Sequence, residues 1–147
     1  MKTKNFLLAI LSIPVLFTTT GCDDDPYPLE IERFEVNWFD IDHSGNRTPN
    51  DELDFVVQVN TTDPDADDQY ITEWEFSYSV NGQFVGVLKS DTHIHTNGLS
   101  FNGTAAIKNL PLPFSGVLLP GDQIEFRFWA ADNHGTSVEQ FYLYELE

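Results

Sequence analysis

The stretch Glu73–Val80, EWEFSYSV, is the part of the chain from which the fold class can be inferred. Its aromatic and aliphatic side chains fall on every second residue, and glutamates and serines fill the positions between them. Successive side chains of a β-strand point to opposite faces of a sheet. This alternation therefore predicts a strand with one buried face and one solvated face.

The same period of two recurs elsewhere in the chain. The stretch LDFVVQVN predicts a buried face made of Leu53, Phe55, Val57 and Val59. The stretch IEFRFWAAD predicts one made of Ile124, Phe126, Phe128 and Ala130. The alternation in LEIERFEVNW slips between Ile31 and Phe34, which indicates a bulge or a change of sheet. The pair Asn81-Gly82 predicts a hairpin turn into QFVGVL.

TAAIKNL and VEQFYLYEL complete the predicted strands, and the proline-rich LPLPFSGVLLPGD is expected to be an edge or a crossing loop. About seven short strands with turns between them predict an all-β fold, a single antiparallel β-sandwich over residues 29–147. Trp74, FRFWAADNHG and PGDQIEFRF resemble an immunoglobulin-like or fibronectin type III-like domain. The resemblance implies that the loops after the second and sixth strands share one end of the sandwich.

Residues 1–21 have the composition of a secretory signal. Lys2 and Lys4 precede a 12-residue apolar run, FLLAILSIPVLF, which is too short to span a bilayer. Gly21 and Cys22 follow, and this pair resembles the cleavage site of a bacterial lipoprotein signal peptide. The resemblance implies cleavage before Cys22 and lipid on its thiol, with residues 22–28 as an acidic, proline-containing tether. The alternative is a chance cysteine after an ordinary signal peptide.

Three aspartates, Asp23 to Asp25, follow the cysteine. They are consistent with a solvated spacer that anionic headgroups repel. They also resemble a signal for export to the outer face of the outer membrane, whereas one aspartate after the cysteine resembles a signal for retention on the inner membrane. We expect the outer-membrane surface, with the inner membrane as the alternative.

The chain is strongly acidic. After removal of Lys2 and Lys4 with the signal, five basic residues remain against 24 acidic ones, a net charge of −19. Nucleic-acid binding needs Lys and Arg on phosphates, so this charge argues against a nucleic-acid partner. Cations, basic partners and neutral sugars remain compatible with it.

The segment Asp40–Asp51, DIDHSGNRTPND, resembles an EF-hand-type calcium loop. The resemblance implies Ca²⁺ ligands at Asp40, Asp42, Ser44 and Asp51, with Gly45 at the bend. The alternative is an acidic, turn-rich connection between strands that holds no metal.

Three further groups of residues are candidate sites. Acids in Asp63–Asp68 could converge on a cation with Asp132 and Asn133 at one end of the sandwich, or the two segments could be solvated loops. His93 and His95 lie two residues apart and could reach one metal, or be exposed on a polar strand.

Trp38 and Trp129 fall at a strand end and off the predicted buried face, where a Trp can be a platform for a sugar ring. The alternative is that both pack in the core or under a loop.

No catalytic motif of the kinds G-x-S-x-G or H-E-x-x-H occurs in the sequence. The sequence therefore favours a non-enzymatic, lipid-anchored binding or accessory module with a glycan or outer-membrane protein as partner. The alternative is a calcium-stabilised structural module without a ligand of its own. A glycan predicts Trp38 or Trp129 exposed beside polar groups, whereas a protein partner predicts a flat apolar patch.

Overall fold

The computed structural model describes residues 28–61, 69–96, 98–113 and 116–147. The signal segment, Cys22, Asp23–Asp25 and Asp63–Asp68 lie outside the described residues. The secondary structure consists of seven strands and one short 3₁₀ helix, Ile107–Asn109. The strands are β1 (Leu29–Phe39), β2 (Glu52–Thr61), β3 (Ile71–Val80), β4 (Gln83–Asp91), β5 (Leu99–Ala106), β6 (Gln123–Asp132) and β7 (Ser137–Glu145).

The strands form two antiparallel sheets, which confirms the predicted β-sandwich. One sheet has the order β1-β2-β5 and the other has the order β4-β3-β6-β7. The connections after β2, β4 and β5 carry the chain from one sheet to the other. A sandwich of this kind buries one face of each sheet and leaves the opposite faces to solvent.

The core is made of the predicted apolar faces of the central strands. All four predicted residues of β2, of β3 and of β6 are buried. Aromatic rings join the two sheets, because the Phe55 ring of β2 lies 4.8 Å from Phe76 and 5.0 Å from Phe126, measured between centroids. Rings packed at these distances contribute more than their buried area alone.

Two local predictions are confirmed and one is wrong in part. The pairing of β1 with β2 shifts register between Ile31 and Arg33, where the alternation slips. Asn81 and Gly82 have φ values of 50° and 76°, the left-handed pair that a two-residue hairpin turn requires. TAAIKNL remains a strand only to Ala106, after which a single 3₁₀ turn places Ile107 in the core.

The register of β1 with β2 shows which segments of the chain lie at each end of the sandwich. Leu29 pairs with Thr61, so the start of β1 lies at the end where β2 terminates. Phe39 pairs with Glu52, so the segment Asp40–Asp51 closes the opposite end. Among the residues that the structure describes, no helix is long and apolar enough to cross a bilayer.

Candidate functional site

The segment Asp40–Asp51 connects β1 to β2 and brings three of the predicted calcium ligands together. Ligand atoms of Asp40, Asp42 and Asp51 all lie within 4.8 Å of one another. Within the described ranges this is the one trio of acidic or histidine side chains that meets this distance. The fourth predicted ligand, Ser44, lies in the same loop, but its hydroxyl donates to the Asn46 carbonyl at 3.1 Å.

The loop's own hydrogen-bond donors occupy the carboxylates of half-buried Asp40 and exposed Asp42. The backbone amides of Ser44 and Gly45 donate to Asp40 at 3.0 and 2.8 Å. Asp42 accepts bonds from Asn50 at 3.0 Å and from the Thr48 hydroxyl at 2.9 Å. Hydrogen bonds from Asn50, Ser44 and Thr48 hold the pKa of Asp42 well below its usual range. A cation would have to share these oxygens.

Asp51 has a different environment, because its side chain is completely buried. One of its oxygens, Oδ2, accepts bonds from Tyr144 Oη at 2.6 Å, Trp38 Nε1 at 2.8 Å and the Thr48 amide at 2.8 Å. Burial acts to raise the pKa of Asp51, but these hydrogen bonds outweigh it and the net shift is downward. The carboxylate therefore joins β1, the loop and β7 at this end of the sandwich.

The two candidate tryptophans have different roles. Trp38 is exposed on one side but uses its only polar atom to bind Asp51. Trp129 is half-buried on the outward side of β6, directly opposite Glu75 of β3 and Glu139 of β7. Only Trp129 therefore lies within a broad sheet surface.

The opposite end of the sandwich brings the loops after β2 and β6 together, as the topology implies. Gln69 donates to Asp132 at 2.7 Å, and the amide of Tyr70 donates to Asn133 at 2.9 Å. Asp132 also accepts bonds from the amides of His134 and Thr136. Burial raises the pKa of Asp132, but the donated bonds outweigh it and lower the pKa overall.

The two histidines do not converge on one point with a third ligand. His93 is exposed and its Nδ1 contacts one oxygen of Asp91, which raises the pKa of His93. His95 Nε2 lies 4.0 Å from the other oxygen of the same carboxylate. Within the part of the chain that the structure describes, Asp91, His93 and His95 do not form a group whose ligand atoms all lie within 4.8 Å of one another.

A further feature is the outward surface of the four-stranded sheet, which we call the outer face. It is defined by residues opposite one another in three rows. The first row contains Ser90, Glu75, Trp129 and Glu139. The second row contains Val87, Ser77, Arg127 and Phe141. The third row contains Phe84, Ser79, Glu125 and Leu143.

The outer face has exposed apolar side chains on both flanks. On β4 these are Phe84, which is 63% exposed, and Val87. On β7 they are Phe141 and Leu143, which are 44% and 46% exposed. A shallow depression of about 230 Å³ lies beside Phe84, with Ser77, Ser79, Gly82, Glu125 and Arg127 along its walls.

The outer face as a surface was not among the sequence predictions, although a signal for it exists. In VEQFYLYEL the inward Tyr142 and Tyr144 alternate with the outward Phe141 and Leu143, so both faces of β7 are apolar. A strand with one solvated face would carry polar residues there. The partners across the sheet depend on register and could not be inferred from this stretch.

No family model matches the chain, and no curated protein is significantly similar to it. Among solved structures, the chain is similar to a Bordetella pertussis protein provisionally assigned as ApaA. The two share 14% identity, the match covers 82% of this chain and 95% of that one, and the TM-score is 0.40. At that score the likeness supports no conclusion about function.

Proposed function

We propose that the protein is a lipid-anchored lipoprotein of the bacterial envelope, held at the outer-membrane surface through Cys22. Its β-sandwich acts as a non-enzymatic binding or accessory module for a glycan or protein partner. The observation that carries the proposal is the position of the only cysteine, directly after Gly21 and the 12-residue apolar run.

The start of the folded domain is compatible with a short tether. Leu29 is buried and begins β1, so residues 22–28 are the link between the lipid and the sandwich. Seven residues reach at most about 25 Å when fully extended. The end that contains Leu29 would then lie close to the membrane, and the Asp40–Asp51 loop would face away from it.

The anchor is tested by mass spectrometry and fractionation of cells that produce the full chain. We expect wild type and Thr18→Ser, which keeps Gly21-Cys22, to carry lipid on Cys22 and to fractionate with membranes. Cys22→Ser should lose the lipid and leave the membrane fraction, because several buried acyl chains are needed for stable anchoring. An unmodified Cys22 in protein released into the medium would refute the anchor.

The surface location is tested separately by exchanging all three aspartates after Cys22 for asparagine. We expect this variant to be lipidated like wild type but to be protected from protease added to intact cells. Wild-type protein should be degraded under the same conditions. Protection of the wild type would show that the protein is inside the envelope, and would leave the lipid anchor intact.

A second candidate function is a calcium-stabilised structural module, favoured by the convergence of Asp40, Asp42 and Asp51. We expect Ca²⁺ at millimolar concentration to raise Tm above the value in NaCl of equal ionic strength, and EGTA to reverse the rise. Asp42→Asn, at an exposed ligand position, should abolish the difference. Equal melting temperatures in the two salts would exclude this candidate.

A further inference from the structure

We propose that the outer face of the four-stranded sheet is a docking surface for a basic protein segment that also carries apolar side chains. The inference rests on the proposed binding function, since it names the surface and the chemistry of the partner. It is independent of the lipid anchor.

The outer face exposes apolar side chains on both of its flanking strands. Phe84 and Val87 on β4 and Phe141 and Leu143 on β7 lie in two adjacent rows of the same face. Single exposed apolar residues are common on protein surfaces, whereas clusters of them mark interaction surfaces, and here each flanking strand contributes a pair, Phe84 with Val87 and Phe141 with Leu143. Between them, the depression beside Phe84 is of a size for one inserted side chain rather than for a larger ligand.

The outer face is also strongly acidic. The outward positions of these strands carry five glutamates, Glu73, Glu75, Glu125, Glu139 and Glu145. They face one arginine, Arg127, whose guanidinium is already paired with Glu139 at 2.8 Å. A partner with lysines or arginines would neutralise the unpaired glutamates, and steering by opposite charge speeds association.

Trp129 adds a specific contact for such a partner. Glu75 and Glu139 lie directly across from it on the two neighbouring strands. A half-buried indole beside the carboxylate of Glu75 is suited to a lysine or arginine side chain, which can lie over the ring while its charge meets that acid.

The same charges disfavour the other occupants. A second copy packed face to face would bring the two sets of glutamates together, and like charges in an interface cost free energy. Anionic lipid and nucleic acid are repelled for the same reason.

The size of the outer face sets the affinity that we expect for the complex. Four strands about 4.8 Å apart make it roughly 19 Å wide, and the area is roughly 500 Å². Stable complexes bury about 800 Å² per partner, so we expect a weak, exchanging complex.

The first experiment is a fluorescence-anisotropy titration of the full mature chain, in nanodiscs of zwitterionic lipid, with three labelled peptides. They contain alternating Lys-Val, alternating Lys-Ser and alternating Glu-Val. We expect the Lys-Val peptide to bind at least ten-fold more tightly than either of the others, and more weakly at high salt. Equal binding of Lys-Ser, or no binding of Lys-Val, would overturn the proposal.

Matched variants localise the binding. The test pair Phe141→Ser with Leu143→Ser should weaken Lys-Val binding about ten-fold. The control pair Val117→Ser with Leu119→Ser removes apolar side chains outside the outer face that are 78% and 62% exposed. This pair should change the affinity for the Lys-Val peptide less than two-fold.

A second test pair, Glu75→Lys with Glu125→Lys, reverses two charges on the outer face. Its control pair, Glu30→Lys with Glu52→Lys, reverses two charges on the other sheet. Each pair changes the net charge equally. Equal losses in test and control pairs would show nonspecific attraction to an acidic protein and contradict the proposal.

The second experiment places a photo-crosslinking amino acid at position 141 or 117 in producing cells. Support requires crosslinks from position 141, and not 117, to a peptide that mass spectrometry shows to be basic and to contain apolar residues. Crosslinks to a glycan or to a second copy of this chain would overturn the proposal. The same crosslinking experiment with Cys22→Ser separates the lipid-anchor proposal from the docking proposal, because loss of the lipid does not alter the outer face.

Discussion

At the scale of single residues, the most informative contact joins Asp51 to Tyr144. Their side-chain oxygens lie 2.6 Å apart although the residues are 93 positions apart in the sequence. Burial and the Asp51 carboxylate raise the pKa of Tyr144 well above its usual range, so its hydroxyl stays a donor. Asp51 was predicted as a calcium ligand, which stays a prediction; the structure shows that its carboxylate binds Tyr144, Trp38 and Thr48.

Replacing Tyr144 with Phe should lower the free energy of unfolding by about 2 kcal/mol, because a buried carboxylate loses a charged hydrogen bond. The Thr48 carbonyl loses its 3.2 Å bond from the same hydroxyl. Urea denaturation of the variant measures the effect. Tyr142→Phe, in the same strand and half-buried, is the control and should change stability by less than about 0.5 kcal/mol. Equal effects of the two variants would contradict the role of the Asp51 contact.

The contribution of Asp51 should depend on pH. Its pKa is lowered on folding, so the stabilisation is present above the unfolded-state pKa of about 3.9 and is lost as the pH falls through the folded-state value. We expect the difference in unfolding free energy between wild type and Asp51→Asn to be largest above about pH 5. It should shrink steadily below about pH 4.

Taking the difference between the two proteins cancels the titration of the other carboxylates. Urea denaturation of both at pH 7, 5, 4 and 3 provides the measurement. A difference that stays constant from pH 7 to pH 3 would show that Asp51 is not stabilised as a carboxylate.

At the scale of elements, the β3–β4 hairpin was predicted correctly from two residues. Asn81-Gly82 forms the turn, and the Asn81 side chain also binds Asp122 and the Gln123 amide at 2.9 Å. The turn conformation was visible in the sequence because few residue types adopt it. The hydrogen bonds from Asn81 to the start of β6 could not be predicted from the sequence, since they join segments about 40 residues apart.

Gly82→Ala should lower the free energy of unfolding by about 1 kcal/mol, because φ of 76° places a Cβ in a disfavoured conformation. Gly86, in the same hairpin, has no positive φ, and a Cβ there meets no atom within 4 Å. Gly86→Ala is therefore the control, and it should be neutral or slightly stabilising. Thermal and urea denaturation of the two variants compare them, and a loss at Gly86 as large as at Gly82 would refute the conformational explanation.

The end of β5 shows where local pattern fails. TAAIKNL has strand-forming residues at both ends, and alternation alone extends the strand through Ile107. In the structure the amide of Ile107 donates to the Asp51 carbonyl at 3.0 Å, and a 3₁₀ turn follows. That bond is the next one in register after the Glu52–Ala106 pair, so pairing with β2 reaches Ile107 and the 3₁₀ turn ends it there.

At the scale of the whole molecule, net charge is the dominant electrostatic property. The full chain carries −17 and the mature chain would carry −19. Carboxylates repel one another across both sheets, and salt screens this repulsion. We expect Tm to rise by several degrees between about 20 mM and 500 mM NaCl, measured by circular dichroism at pH 7. At pH 4, where part of the carboxylates are neutral, the rise should be smaller; a Tm at pH 7 that falls or stays constant with salt would contradict this expectation.

The amino-acid sequence alone was enough to predict the all-strand class, the buried faces of β2, β3 and β6 and the Asn81-Gly82 turn, and it sets the composition of the N-terminal segment. These features follow from side-chain period, turn conformation and local composition, which act over a few residues. The bonds of Asp51 with Tyr144 and Trp38, and the position of Trp129 between Glu75 and Glu139, are seen only in the folded structure. Those contacts depend on sheet order and register, which arise when strands far apart in the chain pack around one core.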